Sequence, residues 1–192
     1  MSETQKHSAA ATRTRAKVLA ATIDLIYELG LGGITHRKIA ERAGVPLGTT
    51  TYHFESLTQL IELAIRQELN ADSKRRKDVL QRSVAGADIV TWLLELMLPQ
   101  GSDQPHILAN VNVRLSEIQL TIDFRHLVKE LQFEVESDIA NLLVQSGIDS
   151  SHAGTVLALL DGFLLQWLIY EKPLSWLSGQ LSKALRDLGI SL

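Results

Sequence analysis

The chain has 192 residues, 45% of them hydrophobic and 21% charged, with 19 Lys+Arg against 22 Asp+Glu, four prolines and no cysteine. Those figures exclude a disordered or fibrous chain, and the absence of cysteine excludes disulfides, thiol nucleophiles and Cys-ligated metal clusters. The start Met1-Ser2-Glu3-Thr4-Gln5-Lys6 is polar and leads to no apolar signal core, and no purely apolar run approaches the roughly 18 residues of a membrane span, so a cytoplasmic protein with no membrane partner is expected.

The formal charge of −3 argues against a nucleic-acid partner only until the charges are placed along the chain. Residues 1–78 hold 12 Lys+Arg against 9 Asp+Glu, a net of +3, and residues 79–192 hold 7 against 13, a net of −6. Such asymmetry suggests two tasks, the amino-terminal part being the candidate for an anionic partner.

Residues 1–11 are polar and Ala-rich without periodicity and are expected to form a mobile tail. A first helix is predicted from about Thr12 to Leu29, with Val18, Thr22, Leu25 and Leu29 on one stripe and Leu19, Ile23 and Ile26 beside it. Gly30, Gly32 and Gly33 stop it. Thr35 then caps a short helix to Ala43, and Gly44 ends it as a glycine that can adopt positive φ. Another short helix is predicted over Leu47–His53. Ser56 caps a longer one through about Lys77, with Leu60, Leu63 and Ala64 inward.

A helix over Ala87–Leu98 ends at the loop Pro99-Gln100-Gly101-Ser102-Asp103-Gln104-Pro105, and helices follow at about His106–Leu120 and Asp123–Gln145. Ser150 or Ser151 starts Ala153–Tyr170, and Pro173 lies at the first turn of a last helix to about Leu188. No alternating strand pattern competes. The fold class is all-α, about nine helices, divided into a tail (1–11), a part with the two short helices (12–55) and a larger part (56–192).

Catalytic patterns such as a P-loop, a dinucleotide-binding glycine run, His-Glu-x-x-His or Gly-x-Ser-x-Gly do not occur, so neither an enzyme nor a cofactor is expected. Asp123-x-x-His126 and Asp149-x-x-His152 could share a helix face as metal ligands, but both fall where Asp caps a helix, and no metal is expected. Glu134, Glu136 and Asp138 are most simply a solvated face.

The two short helices joined by Ala43-Gly44-Val45-Pro46 have helix-turn-helix dimensions. Ala40 and Ala43 are small enough for a close crossing, and Ile39, Val45 and Phe54 can supply a core beneath. The second helix carries Thr49, Thr50, Thr51, Tyr52 and His53, short hydrogen-bonding side chains able to approach base edges and phosphates. A purely structural helical hairpin satisfies the same spacing.

The segment Ile34-Thr35-His36-Arg37-Lys38-Ile39-Ala40-Glu41-Arg42-Ala43-Gly44-Val45-Pro46-Leu47-Gly48-Thr49-Thr50-Thr51-Tyr52-His53-Phe54 strongly resembles the DNA-binding segment of TetR-family transcriptional regulators, and the likeness extends over roughly residues 15–65. Asp161-Gly162-Phe163-Leu164-Leu165-Gln166 is similar to a patch common in that family's eighth helix. The resemblance implies that Thr35 bonds a phosphate, that Arg37 lies at the groove edge, that Gly48 and Thr49 face the major groove, and that Thr50, Tyr52 and His53 add base or phosphate contacts. Two departures stand out: Thr51 replaces a usual Tyr and Leu57 a usual Lys. Both favour neutral contacts and a shallow salt dependence. Arg13, Arg15 and Lys17 can add phosphate or minor-groove contacts.

In the larger part, Val156, Leu157, Leu160, Leu164, Trp167 and Leu168 recur at helical spacing, as do Trp176, Leu177, Leu181, Leu185 and Leu188. The surplus apolar face suggests a partner, and the resemblance implies a homodimer through these two helices, with Leu157, Leu160, Leu164, Trp167, Leu181 and Leu185 at the interface. The resemblance also implies a small-molecule pocket. Its apolar candidates are Trp92, Met97, Val111, Leu115, Phe124, Leu131, Phe133 and Phe163, and its polar candidates Arg114, Gln119, Gln132 and Gln166. The expected function is a repressor released from a palindromic double-stranded DNA operator by a small-molecule effector. The alternative is an all-helical ligand-binding or protein-interaction module without sequence-specific DNA binding.

Overall fold

The computed structural model describes residues 3–83, 88–98 and 122–190. Among them are eight α-helices and no strand: α1 (Glu3–Leu29), α2 (His36–Ala43), α3 (Leu47–His53), α4 (Leu57–Arg82), α5 (Ile89–Met97), α6 (Ile122–Gln145), α7 (Ala153–Ile169) and α8 (Leu174–Asp187). The helix expected at His106–Leu120 and the loop at Pro99–Pro105 lie outside the described residues. Helix α1 begins at Glu3 rather than Thr12, so the expected tail is helical. The alanine run Ala9-Ala10-Ala11 supplies helix propensity without an apolar stripe, which is why periodicity does not register it. From Ala9 on, the first buried residue of α1 is Val18.

Two compact units share helix α4. The first holds α1, α2, α3 and α4 as far as Asn70; the second starts at Ala71 and takes the rest of α4, α5, α6 from His126, α7 and α8. This division lies within α4, not at the 55/56 boundary expected from the sequence. The reason is that Leu60, Ile61, Ala64 and Ile65 are buried in the first half of α4, in a unit whose other core residues include Leu25, Ile26, Ile39 and Phe54. Tyr27 of α1 also donates its hydroxyl hydrogen to Glu68 Oε1 of α4 at 3.2 Å. Helix α4 is capped as anticipated: Ser56 Oγ accepts from the Gln59 amide at 3.1 Å, while Gln59 Oε1 accepts from the Glu55 amide at 2.8 Å.

The core of the second unit is aliphatic. Leu93 and Leu96 of α5, Ile139, Leu142 and Leu143 of α6, Val156 and Leu160 of α7, and Leu177, Leu181 and Leu185 of α8 are fully buried. Each such side chain contributes about 1.5–3 kcal/mol on removal from water. The stretch Ser150–Ile169 is long and apolar enough to cross a membrane by length and composition, although it contains no unbroken apolar run of that length. Its inward residues, from Val156 to Leu168, are part of this core.

One cation lies inside that core. Arg76 of α4 is only 1% exposed and donates to Asp138 Oδ2 at 2.7 Å, to Glu134 Oε2 at 3.2 Å and to Asp72 Oδ2. Its neighbour Arg75 bonds Asp72 Oδ1 and reaches the main-chain carbonyls of Glu95 at 2.6 Å and Leu96 at 2.7 Å, at the end of α5. Asp138 is therefore an anchor for a buried charge rather than part of a solvated face, whereas Glu134, although it bonds Arg76, and Glu136 are exposed as expected from sequence. A periodicity scan assigns carboxylates outward because it cannot see an arginine 58 or 62 residues away.

Two stability predictions follow from these bonds. Arg76→Leu leaves Asp138 and its partners without the charge that balances them, so urea unfolding should show a loss of about 3 kcal/mol. In the first unit, Arg42 donates to both oxygens of Glu28 at 2.7 and 2.5 Å. The bond to the guanidinium holds the Glu28 carboxyl below its ordinary range, its partner's charge adding to the effect. A depressed folded value means the bridge's contribution is complete above the ordinary carboxylate range and vanishes as pH falls through the folded value. The pair is solvent-exposed, so the contribution is small and screened by salt. In low salt, the stability gap between wild type and Glu28→Gln should close on acidification; a gap independent of pH would show that the bridge contributes nothing.

Candidate nucleic-acid interface

The turn between α2 and α3 is set by a few local bonds. Thr35 has extended backbone geometry, and its Oγ1 accepts from the Lys38 amide at 3.2 Å, which fixes the start of α2. Gly44 sits at φ 66° and ψ 37°, the left-handed region, and its amide turns back to Ala40 and Glu41. The Val45 amide closes the turn on the Ala40 carbonyl at 3.0 Å. Pro46 then precedes α3 with no side-chain cap. Ile39, Ala40 and Phe54 are buried, as the motif requires, while Val45 is half-buried.

Exposure sorts the residues of α3 by face. Leu47, Gly48, Thr51 and Tyr52 form a continuous outward arc, Tyr52 being 84% exposed and Leu47 52%. Thr49 and His53 lie at its edges, half-buried. Thr50 is fully buried, and its hydroxyl donates to the Leu47 carbonyl at 2.9 Å. The expected DNA contact by Thr50 is therefore corrected: the residue belongs to the underside of the helix, with its hydrogen bond already made. Thr51 donates to the Gly48 carbonyl at 3.1 Å and remains exposed. Thr35 and Arg37 are also exposed, and Lys38 Nζ is held by the Gly33 carbonyl at 2.7 Å. Leu47 was not among the residues singled out from sequence, although its place one residue before Gly48 puts it on the same arc.

Arg15 of α1 lies with its guanidinium 5.3 Å from the centre of the Phe54 ring, a cation–π contact at the end of α3. Its exposed neighbours Arg13 and Lys17 lie on the same helix. The face presented by α3 itself carries no lysine, arginine or carboxylate. It is a surface of backbone, one hydroxyl, one phenol and one aliphatic side chain.

The sequence-derived interface residues Leu157, Leu160, Leu164, Trp167, Leu181 and Leu185 are all buried within the single chain. They are its core, which corrects their assignment to a dimer contact. What α7 presents outward is a different stripe, Thr155, Ala158, Gly162, Leu165, Gln166 and Ile169. Of the pocket candidates, Trp92, Met97 and Phe163 are half-buried. Phe163 packs edge-on against Trp176 at 6.4 Å, and the Arg82 guanidinium lies 5.9 Å from the Trp92 ring. Leu131 is buried, and Gln132 is half-buried with its Nε2 3.3 Å from Asp161 Oδ2. Phe133 is 76% exposed and Gln166 is exposed, so neither faces the interior of the chain. Arg114, Val111, Leu115 and Gln119 fall outside the described residues. Asp149 caps the turn before α7 by accepting from the Ser151 amide at 2.8 Å, a bond that lowers its pKa.

No protein-family model matches the sequence. The HTH-type transcriptional regulator BetI of Escherichia coli is 31% identical over 107 residues, which cover 56% of this chain and 47% of BetI. The chain thus spans about half the length of the curated relatives it matches. Among solved structures, the multidrug binding protein EbrR complexed with imidazole is 27% identical, with a TM-score of 0.64 over 88% of this chain and 93% of EbrR. EbrR has also been solved with ethidium and with malachite green. A TetR-family transcriptional regulator from Rhodococcus sp. shares the fold at 24% identity, with a TM-score of 0.69 over 91% of this chain and 98% of its own. These relatives are regulators rather than enzymes. In its helix-turn-helix segment and its all-helical fold, the chain is similar to TetR-family transcriptional regulators.

Proposed function

We propose that this protein is a one-component transcriptional repressor that binds a palindromic DNA operator as a homodimer and is released by a small-molecule effector. The observation that carries this reading is the outward arc of α3. A helix following a left-handed Gly44 turn presents Gly48, Thr51 and Tyr52 to solvent, and none of them is needed for the core. In the proposed complex Thr35 and Arg37 bond phosphates, which fix register, while Gly48, Thr49, Tyr52 and His53 approach base edges, which supply sequence information. Thr51, shorter than tyrosine and with its O–H donated to the Gly48 carbonyl, offers its hydroxyl oxygen as an acceptor to a base amino group at close range. The likeness of the chain, over 107 residues, to the HTH-type regulator BetI supports this assignment.

The proposed dimer uses the outward stripe of α7, centred on Ala158, Gly162 and Leu165, whose small members allow close helix approach. A two-fold axis there gives two copies of α3, matching two half-sites about one helical turn of DNA apart or somewhat more. The effector site is proposed in the second unit around Trp92, Met97 and Phe163. The complexes of EbrR with imidazole, ethidium and malachite green support a small organic effector. Release then requires the effector to bind one dimer conformation better than the other, by the same free energy that operator affinity loses. A cytoplasmic location goes with this role.

Selection of bound fragments from random duplex DNA should yield a palindrome. Thr49→Ala and Tyr52→Ala should each weaken that complex by about 1–3 kcal/mol if the residue reads a base, measured by fluorescence anisotropy. Unchanged affinity in both variants would overturn the assigned contacts, and weak sequence-blind binding by wild type would favour a helical interaction module. Separately, Leu165→Glu should convert the dimer to a folded monomer in sedimentation and reduce operator binding with it. A variant that remains dimeric would place the interface elsewhere.

A further inference from the structure

The arc of α3 contains one bulky apolar residue, and it is not among the buried core residues described for the first unit. Leu47 opens the helix and is 52% exposed, whereas the buried members of this segment are Thr50 and the following Phe54. Its neighbours on the arc leave room around it. Gly48 has no side chain, and a Cβ placed there would meet nothing within 4 Å. Thr51, one turn along, has its hydroxyl committed to the Gly48 carbonyl at 3.1 Å.

We infer that Leu47 is a specificity-determining residue that packs against the C5-methyl group of a thymine in the major groove. The inference rests on the DNA-binding reading above and names what one position of that interface recognises. Leucine cannot hydrogen-bond a base edge, so at this place it discriminates only by apolar contact. On the major-groove edges of the four bases, the thymine methyl is the one apolar group. A cytosine in its place has only hydrogen at C5, so the leucine loses its apolar contact, and an N4 amino donor then stands beside it where thymine has O4. The lack of charge on the arc fits this mode, because no neighbouring lysine or arginine competes for the base next to Leu47.

The test uses the full chain and its selected palindrome. Each thymine is replaced in turn by deoxyuridine, which removes the methyl group and keeps every hydrogen-bonding atom. Wild type should lose about fourfold in affinity at one symmetry-related thymine per half-site, the worth of one buried methyl group. Leu47→Ala, a change at an exposed position, should bind the thymine and uracil operators equally there while keeping the wild-type response at other positions. No uracil-sensitive position, or an undiminished loss in Leu47→Ala, would overturn the role of Leu47 while leaving the DNA-binding reading intact. A chain that selects no operator at all would overturn both.

Discussion

A buried guanidinium dictates much of the second unit. Placing Arg76 among aliphatic side chains is tolerable only if its donors are met, and Asp72, Glu134 and Asp138 meet them. Two of those carboxylates come from α6, so the network fixes both the rotation and the axial register of α6 against α4. An aliphatic interface alone would tolerate sliding by a turn; a charge with directional partners does not. Arg75 performs a related task at the end of α5, where carbonyls of the last turn have no partners in the helix and accept from its guanidinium. Helix α4 is thus the member of the second unit to which both α5 and α6 are keyed by specific polar bonds, with aliphatic packing filling the space between.

The first unit is held differently. Its small core is aliphatic and aromatic, and its geometry is specified by main-chain turns: a threonine cap at Thr35, a left-handed glycine at Gly44 and a serine cap at Ser56. These devices are local in sequence, which is why the elements from α2 to the start of α4 are legible in the sequence alone. A cap residue, a glycine and a proline leave the backbone few alternatives over spans of eight residues. The underside of α3 was less legible. Three consecutive threonines carry no amphipathic contrast, so nothing in the pattern distinguishes Thr50, which is buried, from Thr51, which is exposed. Only the phase set by Ile39, Ala40 and Phe54 packing beneath decides it.

The carboxy-terminal helices teach the complementary point. A strong 3–4 stripe of leucines marks the surface a helix buries first, and in α7 and α8 that surface is consumed inside the chain. An apolar surface over more than half the circumference of α7 suggests a partner contact for Leu157, Leu160 and Leu164, yet the larger, more regular face is the core. A surface left for a partner is defined by subtraction. In the dimer proposed above it carries the residues of α7 that remain after the core is satisfied, namely threonine, alanine, glycine, glutamine, one leucine and one isoleucine, a composition that resembles ordinary surface in a hydropathy profile. Long-range pairs such as Arg76 with Asp138 were hidden for a related reason: each partner has an unremarkable polar neighbourhood in sequence, and only the fold brings them together.

The charge balance acquires a definite meaning from this geometry. The net +3 of residues 1–78 is not concentrated on α3, whose exposed arc is neutral, but spread over Arg13, Arg15, Lys17, Arg37, Lys38 and other positions, some of them engaged. Lys38 is tied to the Gly33 carbonyl, Arg42 to Glu28 and Arg15 to the Phe54 ring. Of these contacts only Arg42–Glu28 offsets a charge, so sequence-blind attraction is limited by the small net charge of residues 1–78 and by the repulsion between a polyanion and the acidic carboxy-terminal part. Affinity for a proposed operator must then come mostly from fit: backbone approach at Gly48, hydrogen bonds from hydroxyl groups, and apolar contact at Leu47. Contacts of that kind depend on register to within an ångström or so, which makes them easy to lose when two recognition helices change spacing. For a regulator switched by an effector of modest differential affinity, a neutral reading face is an advantage, because a small movement removes most of the binding energy and little residual electrostatic attraction remains to hold the released dimer on DNA.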